Sequence, residues 1–327
     1  MSLWRHYDTK LILLFLARTA NRINVLKNRQ DTRVKHGLQG MARGADSGLY
    51  AVRRHLMLTR ILKTRKGDRL NMKLFQIYFS PTGGVKKIAD LAGSPWDCEK
   101  EEIDLSKPDE DFSKYKFSKD DLCIAAVPTF GGRVPIPATA NLQKLQGNGA
   151  TAILIVVYGN RAYEDTLLEL KNTMTSAGFF CAAGIAAVAE HSIAHQVAAG
   201  RPDLQDEKQL TAFSEKIKKV LEQVNSTAEL HIPGNYPYKE YKVIPMVPET
   251  GEECVKCGLC AEKCPVEAIP EENPMLTDGE KCISCMRCVI ICPQNARHGN
   301  AASMEAVSKK LEKVCSDRKE NELFLMK

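Results

Sequence analysis

The chain has 327 residues, 44% hydrophobic and 26% charged, a balance that suits two globular domains and excludes a wholly disordered chain. The net charge of +6 is uneven: residues 1–71 hold 16 Lys and Arg against four Asp and no Glu, a net of +12, so residues 72–327 carry −6. No apolar run approaches the roughly 18 residues of a membrane helix, and a chain this long with clustered cysteines is not a small secreted disulfide scaffold but points to a reducing, cytoplasmic setting.

Residues 1–71 do not read as a domain. They suit translated upstream sequence with Met72 as the natural start, an Arg-rich transit peptide, a basic tail for nucleic acid or a membrane surface, or a helical extension supported only by residues 11–16 and 56–62. The abrupt change at Met72 favours the first of these, and nucleic-acid binding is not expected.

From Met72 the pattern becomes regular. Residues 74–79 read as a strand, the loop Ser80-Pro81-Thr82-Gly83-Gly84 follows, and Val85, Ile88, Ala89 and Ala92 recur at helical spacing. Residues 102–105 form a weak second strand. Residues 122–127 and 152–158 are continuous apolar runs, as in strands buried on both faces of a parallel sheet. The spacing predicts a helix over 136–146, another through Tyr163, Leu167, Leu170 and Met174, and a last one through Leu210, Phe213, Ile217, Val220 and Val224 with Asp206 as N-cap. Residues 179–188 read as the last strand. Strands alternating with helices predict an α/β domain over 72–225, a doubly wound five-stranded parallel sheet. Residues 226–250, with Pro233, Pro237, Pro245 and Pro248, read as an extended linker pinned by Tyr236, Tyr238 and Tyr241. A small cysteine-rich domain spans 251–300. In residues 301–327, Met304, Val307, Leu311 and Val314 mark an amphipathic helix.

Eight of the 12 cysteines lie in two copies of one run. The first is Cys254-x-x-Cys257-x-x-Cys260-x-x-x-Cys264-Pro265 and the second Cys282-x-x-Cys285-x-x-Cys288-x-x-x-Cys292-Pro293. Zinc sites take four ligands and do not need this triple run with a Cys-Pro ending. The duplicated run resembles the bacterial two-[4Fe–4S] ferredoxins. That resemblance implies two [4Fe–4S] clusters, one on Cys254, Cys257, Cys260 and Cys292, the other on Cys282, Cys285, Cys288 and Cys264. Three thiolates of a tight loop reach one cubane, and the cysteine before the proline reaches its neighbour.

The strand, loop and helix beginning at Phe75 resemble the phosphate loop of flavodoxins, in which hydroxyls and backbone N–H groups at a helix N-terminus hold a phosphate. Ser80, Thr82, Gly83 and Gly84 match; Val85 replaces the final Thr. The loops after the third and fourth strands would complete an FMN site at the switch point of the sheet. They supply Thr129, Phe130, Gly131 and Gly132, then Tyr158, Gly159, Asn160 and Tyr163. Phe130 and a tyrosine would stack on the ring, with Arg133 and Arg161 favouring reduced flavin. Over residues 72–300 the chain resembles the fused flavodoxin-like and ferredoxin electron-transfer proteins of anaerobic microbes. The resemblance implies a relay of low-potential electrons between clusters, FMN and redox partner proteins. The alternatives are a flavin-dependent reductase of a small acceptor and an iron–sulfur redox sensor with a basic nucleic-acid-binding tail. The His191-Ser192-Ile193-Ala194 stretch after the last strand belongs to the same resemblance; His191 and His195, at i, i+4 near the expected flavin edge, suit metal binding or proton movement but read first as hydrogen-bonded loop histidines, and Cys98, Cys123, Cys181 and Cys315 read as cysteines outside the ligand set.

Overall fold

The computed structural model describes residues 72–223, 228–242 and 246–327, all within one unit of the chain. The readings of residues 1–71, Val224 and Pro245 lie outside these residues. The strands are β1 (Lys73–Tyr78), β2 (Glu99–Asp104), β3 (Leu122–Pro128), β4 (Thr151–Tyr158) and β5 (Phe180–Val188), with α1 (Gly84–Gly93), α2 (Ile136–Leu142), α3 (Thr166–Ser176) and α4 (Leu204–Gln223) between and after them. Their order in the sheet is β2-β1-β3-β4-β5, all parallel. This is the flavodoxin-like doubly wound order, with its switch point between β1 and β3.

The inner strands are almost wholly apolar because each has a core on both faces. Phe75 and Ile77 of β1 and Leu154, Val156 and Tyr158 of β4 point into one core, closed by Leu142 of α2 and Leu167, Leu170 and Met174 of α3. Leu74, Tyr78, Ile153, Ile155 and Val157 point into the other, closed by Val85, Ile88 and Ala92 of α1 and Leu210 and Ile217 of α4. The period-2 alternation of a strand divides these side chains between two helical layers. Outer strand β2, Glu-Lys-Glu-Glu-Ile-Asp, leaves one edge charged and exposed, which discourages edge-to-edge pairing.

The other edge differs from expectation. A sixth strand, β8 (Glu322–Leu325), pairs antiparallel with β5. Leu323 and Leu325 pack on one core while Phe324 and Met326 pack on the other, so four residues repeat the alternation of the main strands. The C-terminal residues are therefore part of the α/β domain. Asp206 is also not the N-cap of α4: it lies inside the first turn, and Asp203 Oδ1 accepts the N–H groups of Gln205 (2.9 Å) and Asp206 (3.1 Å). Asp206 is fully buried and receives Arg201 Nε at 2.9 Å and Asn321 Nδ2 at 2.9 Å. Arg201 and Arg318 hold both carboxylates below the usual range against the opposing effect of burial.

Residues 228–242 run along the domain surface. Ala228 and Leu230 enter the core, and the buried Asp165 accepts the N–H groups of Asn235 and Lys239 at 2.8 Å each. Tyr238 receives Asn172 Nδ2 at 2.6 Å, and the exposed Tyr236 meets Tyr238 edge to face at 5.2 Å. The cysteine-rich region carries β6 (Glu249–Thr250) paired with β7 (Arg297–His298), and the short helices α5 (Leu259–Glu262) and α6 (Arg287–Ile290). Helix α7 (Ala301–Glu312) returns to the domain: Met304 and Val307 meet Ile193, Met246 and Met286, and Leu311 meets Ala194 and Val197. Val314 is exposed.

Candidate functional site

The two cysteine runs fold into two separate cavities. Cys254, Cys257, Cys260 and Cys292 line one of about 350 Å³. Cys264, Cys282, Cys285 and Cys288 line another of about 340 Å³. Each run thus gives three cysteines to its own cavity and its last, before the proline, to the other. Among the described residues no three His, Cys, Asp or Glu side chains converge on a point where one metal ion would sit. Four thiols line each cavity, a donor set suited to an iron–sulfur cluster.

One arginine lines each cavity, Arg297 the first and Arg287 the second. Arg297 is buried; its terminal nitrogens reach Thr277 Oγ1 (2.7 Å) and Pro274 O (2.6 Å). Arg287 bonds the Ser106 hydroxyl and lies 3.8 Å from Asp104. In both, Nε is buried without an acceptor. A buried unmet donor costs about 1–3 kcal/mol, and a ring of thiolates around a cluster offers the missing negative partner. The Ala268 N–H already donates to Cys264 Sγ at 3.3 Å.

A third pocket, of about 520 Å³, opens where β1, β3 and β4 end. Its wall includes Thr82 and Gly84 of the first loop, Thr129 and Phe130 of the second, and Tyr158 and Gly159 of the third. Gly83 caps α1 with φ +89°, and Ser80 Oγ accepts the Lys86 N–H at 2.9 Å, fixing the turn that offers the helix N-terminus. Thr129 Oγ1 is buried without a partner. An orphaned hydroxyl, a helix N-terminus and an aromatic side chain in one pocket suit a phosphorylated aromatic ligand.

Several expected residues stand elsewhere. A Cβ on Gly132 would fall 1.9 Å from Glu164, and one on Gly131 2.8 Å from the Lys242 carbonyl, so these glycines let the loop pack closely on the segments at 164 and 242. The Asn160 amide is used up: Nδ2 donates to the carbonyls of Cys315 (3.1 Å) and Asp317 (2.8 Å), and Oδ1 accepts the Lys319 N–H (3.1 Å). Tyr163 packs on Tyr158 but turns its hydroxyl to Glu322 at 3.2 Å. Both arginines of these loops are paired with carboxylates. Arg133 makes a two-pronged pair with Glu169 at 2.8 Å, and Arg161 pairs with Glu164 at 2.8 Å. Glu169 offsets the charge of Arg133, whereas the charge of Arg161 is still felt at His191 on the pocket wall.

Missing from the expected set were Glu190, His191 and Ser192, which complete the pocket wall. His191 Nδ1 accepts the N–H groups of Ile193 and Ala194 at 3.1 Å each. Burial, reinforced by His195 and Arg161, lowers its pKa to about 4, so the imidazole is neutral with its proton on Nε2. A Cβ on Gly159 would lie 2.4 Å from the His191 ring. His195 instead pairs with Glu190 at 2.8 Å and is half exposed. The sequence signals were proximity, since His191 follows the end of β5 where a switch-point ligand must pass, and the His191-Ser192-Ile193-Ala194 stretch typical of the family the chain resembles. Cys285 lines this pocket as well as the second cysteine cavity.

Comparison with known proteins agrees with this division. Residues 253–297 match the family model of a 4Fe–4S dicluster domain, so the C-terminal module binds [4Fe–4S] cluster and the chain joins it to a flavodoxin-like sheet. No curated protein matches the sequence. Among solved structures, the chain is similar to a flavodoxin of Streptococcus pneumoniae TIGR4 at 18% identity and TM-score 0.33, covering 45% of this chain and 98% of that one. It is similar to a flavodoxin from the domain Archaea at 14% identity and TM-score 0.33, covering 46% and 99%. Against rubredoxin oxygen:oxidoreductase of the anaerobe Desulfovibrio gigas the values are 15% and 0.35, covering 46% of this chain and 36% of that one. The fold assignment rests on strand order and not on these similarities. No described helix is long and apolar enough to cross a membrane.

Proposed function

We propose that the protein is an electron relay holding two [4Fe–4S] clusters and one FMN, passing single electrons between a low-potential redox partner protein and the flavin. When bound, the clusters carry one electron each and FMN takes one or two. Residues 251–300 form the cluster domain, with Cys254, Cys257, Cys260 and Cys292 around one cluster and Cys264, Cys282, Cys285 and Cys288 around the other. Residues 72–225, completed by β8, form the flavin domain. Thr82, Gly84 and the N-terminus of α1 would hold the phosphate, Thr129 would bond the flavin, and Phe130 and Tyr158 would flank the ring. Arg287 and Arg297 offset thiolate charge, and neutral His191 offers an N–H donor without adding charge.

The observation that carries this reading is Cys285, shared by a cysteine cavity and the three-loop pocket. The test is anaerobic purification followed by iron, sulfide and flavin analysis. About eight irons per chain are expected from four per cluster, unchanged in Cys315→Ser. Stoichiometric zinc without acid-labile sulfide would sink the cluster assignment. Absence of a flavin spectrum after reconstitution at high FMN and gel filtration would sink the flavin assignment.

A further inference from the structure

The two cysteine loops share their cysteine spacing and two left-handed backbone positions, yet their surroundings are opposite. Lys256 (φ +56°) and Ser284 (φ +54°) occupy equivalent left-handed positions, as do Gly258 (φ +77°) and Met286 (φ +60°). In the 254–260 loop Val255 is 63% exposed, Lys256 and Cys257 are exposed, and a Cβ on Gly258 would meet nothing within 4 Å. In the 282–288 loop every counterpart is used against the α/β domain or its flanking segments. Ile283 packs on the main core, and Ser284 Oγ accepts the Met246 N–H at 3.3 Å. Met286 is 4% exposed against Ile193 and Met246. Arg287 anchors on Ser106 and Asp104, just past and at the end of β2.

Methionine at a left-handed position is disfavoured where glycine is free. Its presence at 286 and not at 258 matches the contact that only one loop makes. Between Ser284 and Met286 sits Cys285, on the wall of the three-loop pocket. Its counterpart Cys257 faces solvent.

From this asymmetry we infer that the relay has a fixed order: the 282–288 loop is the junction with the flavin pocket, through Cys285, and the 254–260 loop is the outward port for a one-electron protein donor. The inference rests on the cluster and flavin reading above. In balance, the donor loses one electron at the outward loop; two such donations, with protons from water, supply the two electrons of full flavin reduction.

The experiment compares Cys257→Ala, Cys285→Ala and Met286→Gly with the parent holoprotein, reading iron, bound FMN, melting temperature and flavin fluorescence lifetime. A redox centre next to the flavin shortens that lifetime. Cys257→Ala and Cys285→Ala should each lose about four irons, but only Cys285→Ala should lengthen the lifetime severalfold. Met286→Gly relieves the backbone and loosens the junction, so it should keep its iron and still lengthen the lifetime; it decides the matter if Cys285→Ala fails to fold. FMN bound with equal lifetimes in the two cysteine variants, or a longer lifetime in Cys257→Ala alone, overturns the order and leaves the relay reading standing. Iron without any FMN binding overturns both.

Discussion

Asn160 separates a flavin contact from a structural tie. Its backbone is left-handed at φ +58° and its side chain is 3% exposed. It makes three hydrogen bonds, to Cys315 O, Asp317 O and Lys319 N. These bind the stretch between α7 and β8 across the third pocket loop. In Asn160→Ala three part-buried backbone groups lose their partner, at about 1 kcal/mol each or somewhat less. Alanine in the left-handed region adds about 1 kcal/mol, for a total of about 3–4 kcal/mol. At roughly 2–4 °C per kcal/mol for a domain of this size, the melting temperature falls by about 6–16 °C. The assay is urea and thermal unfolding of flavin-free protein with its clusters kept under anaerobic conditions. Asn160→Gly, free of the backbone strain, reports the hydrogen bonds with glycine's extra chain entropy. Flavin-free protein of parental stability whose FMN affinity has dropped would refute this account and return Asn160 to the flavin.

Thr129→Val replaces an orphaned hydroxyl with a methyl group of the same shape. Flavin-free stability should hold or rise, while FMN affinity measured by fluorescence titration should fall about five- to tenfold, or ~1–1.4 kcal/mol; unchanged affinity counts against the contact. His191 is lowered from the usual 6.5 to about 4. The unfolded chain then takes a proton that the folded protein refuses, so its contribution is complete above about pH 6.5 and is lost as pH falls toward 4, up to about 3 kcal/mol. His191→Gln should flatten unfolding free energy between about pH 6.5 and 5, and a slope that survives contradicts the buried neutral imidazole. A chain beginning at Met72 should keep its clusters, flavin and melting temperature, because every residue lining the three cavities lies after it; lost cofactor or a lower melting temperature would show otherwise.

The sequence by itself determined the parts. The duplicated cysteine run put three cysteines of each loop around one cavity, because three ligands in seven residues are a local geometric demand; the crossing of the fourth cysteine, before the proline, followed from the ferredoxin resemblance. The apolar runs of β3 and β4, and the strand–loop–helix at Thr82, set a parallel sheet whose carboxyl ends carry the pocket. Tertiary structure decided what those local signals do not encode. Strand β8 is four residues whose alternation has meaning only beside β5. Asn160, Arg133 and Arg161 looked available because a sequence does not list competing partners; the returning tail, Glu169 and Glu164 claimed them. His191, Glu190 and Cys285 joined the pocket from segments far from its three loops, because the switch point gathers every chain that crosses the end of the sheet. The order of the two cysteine loops likewise depended on which copy met the sheet, and only packing distinguishes Met286 from Gly258.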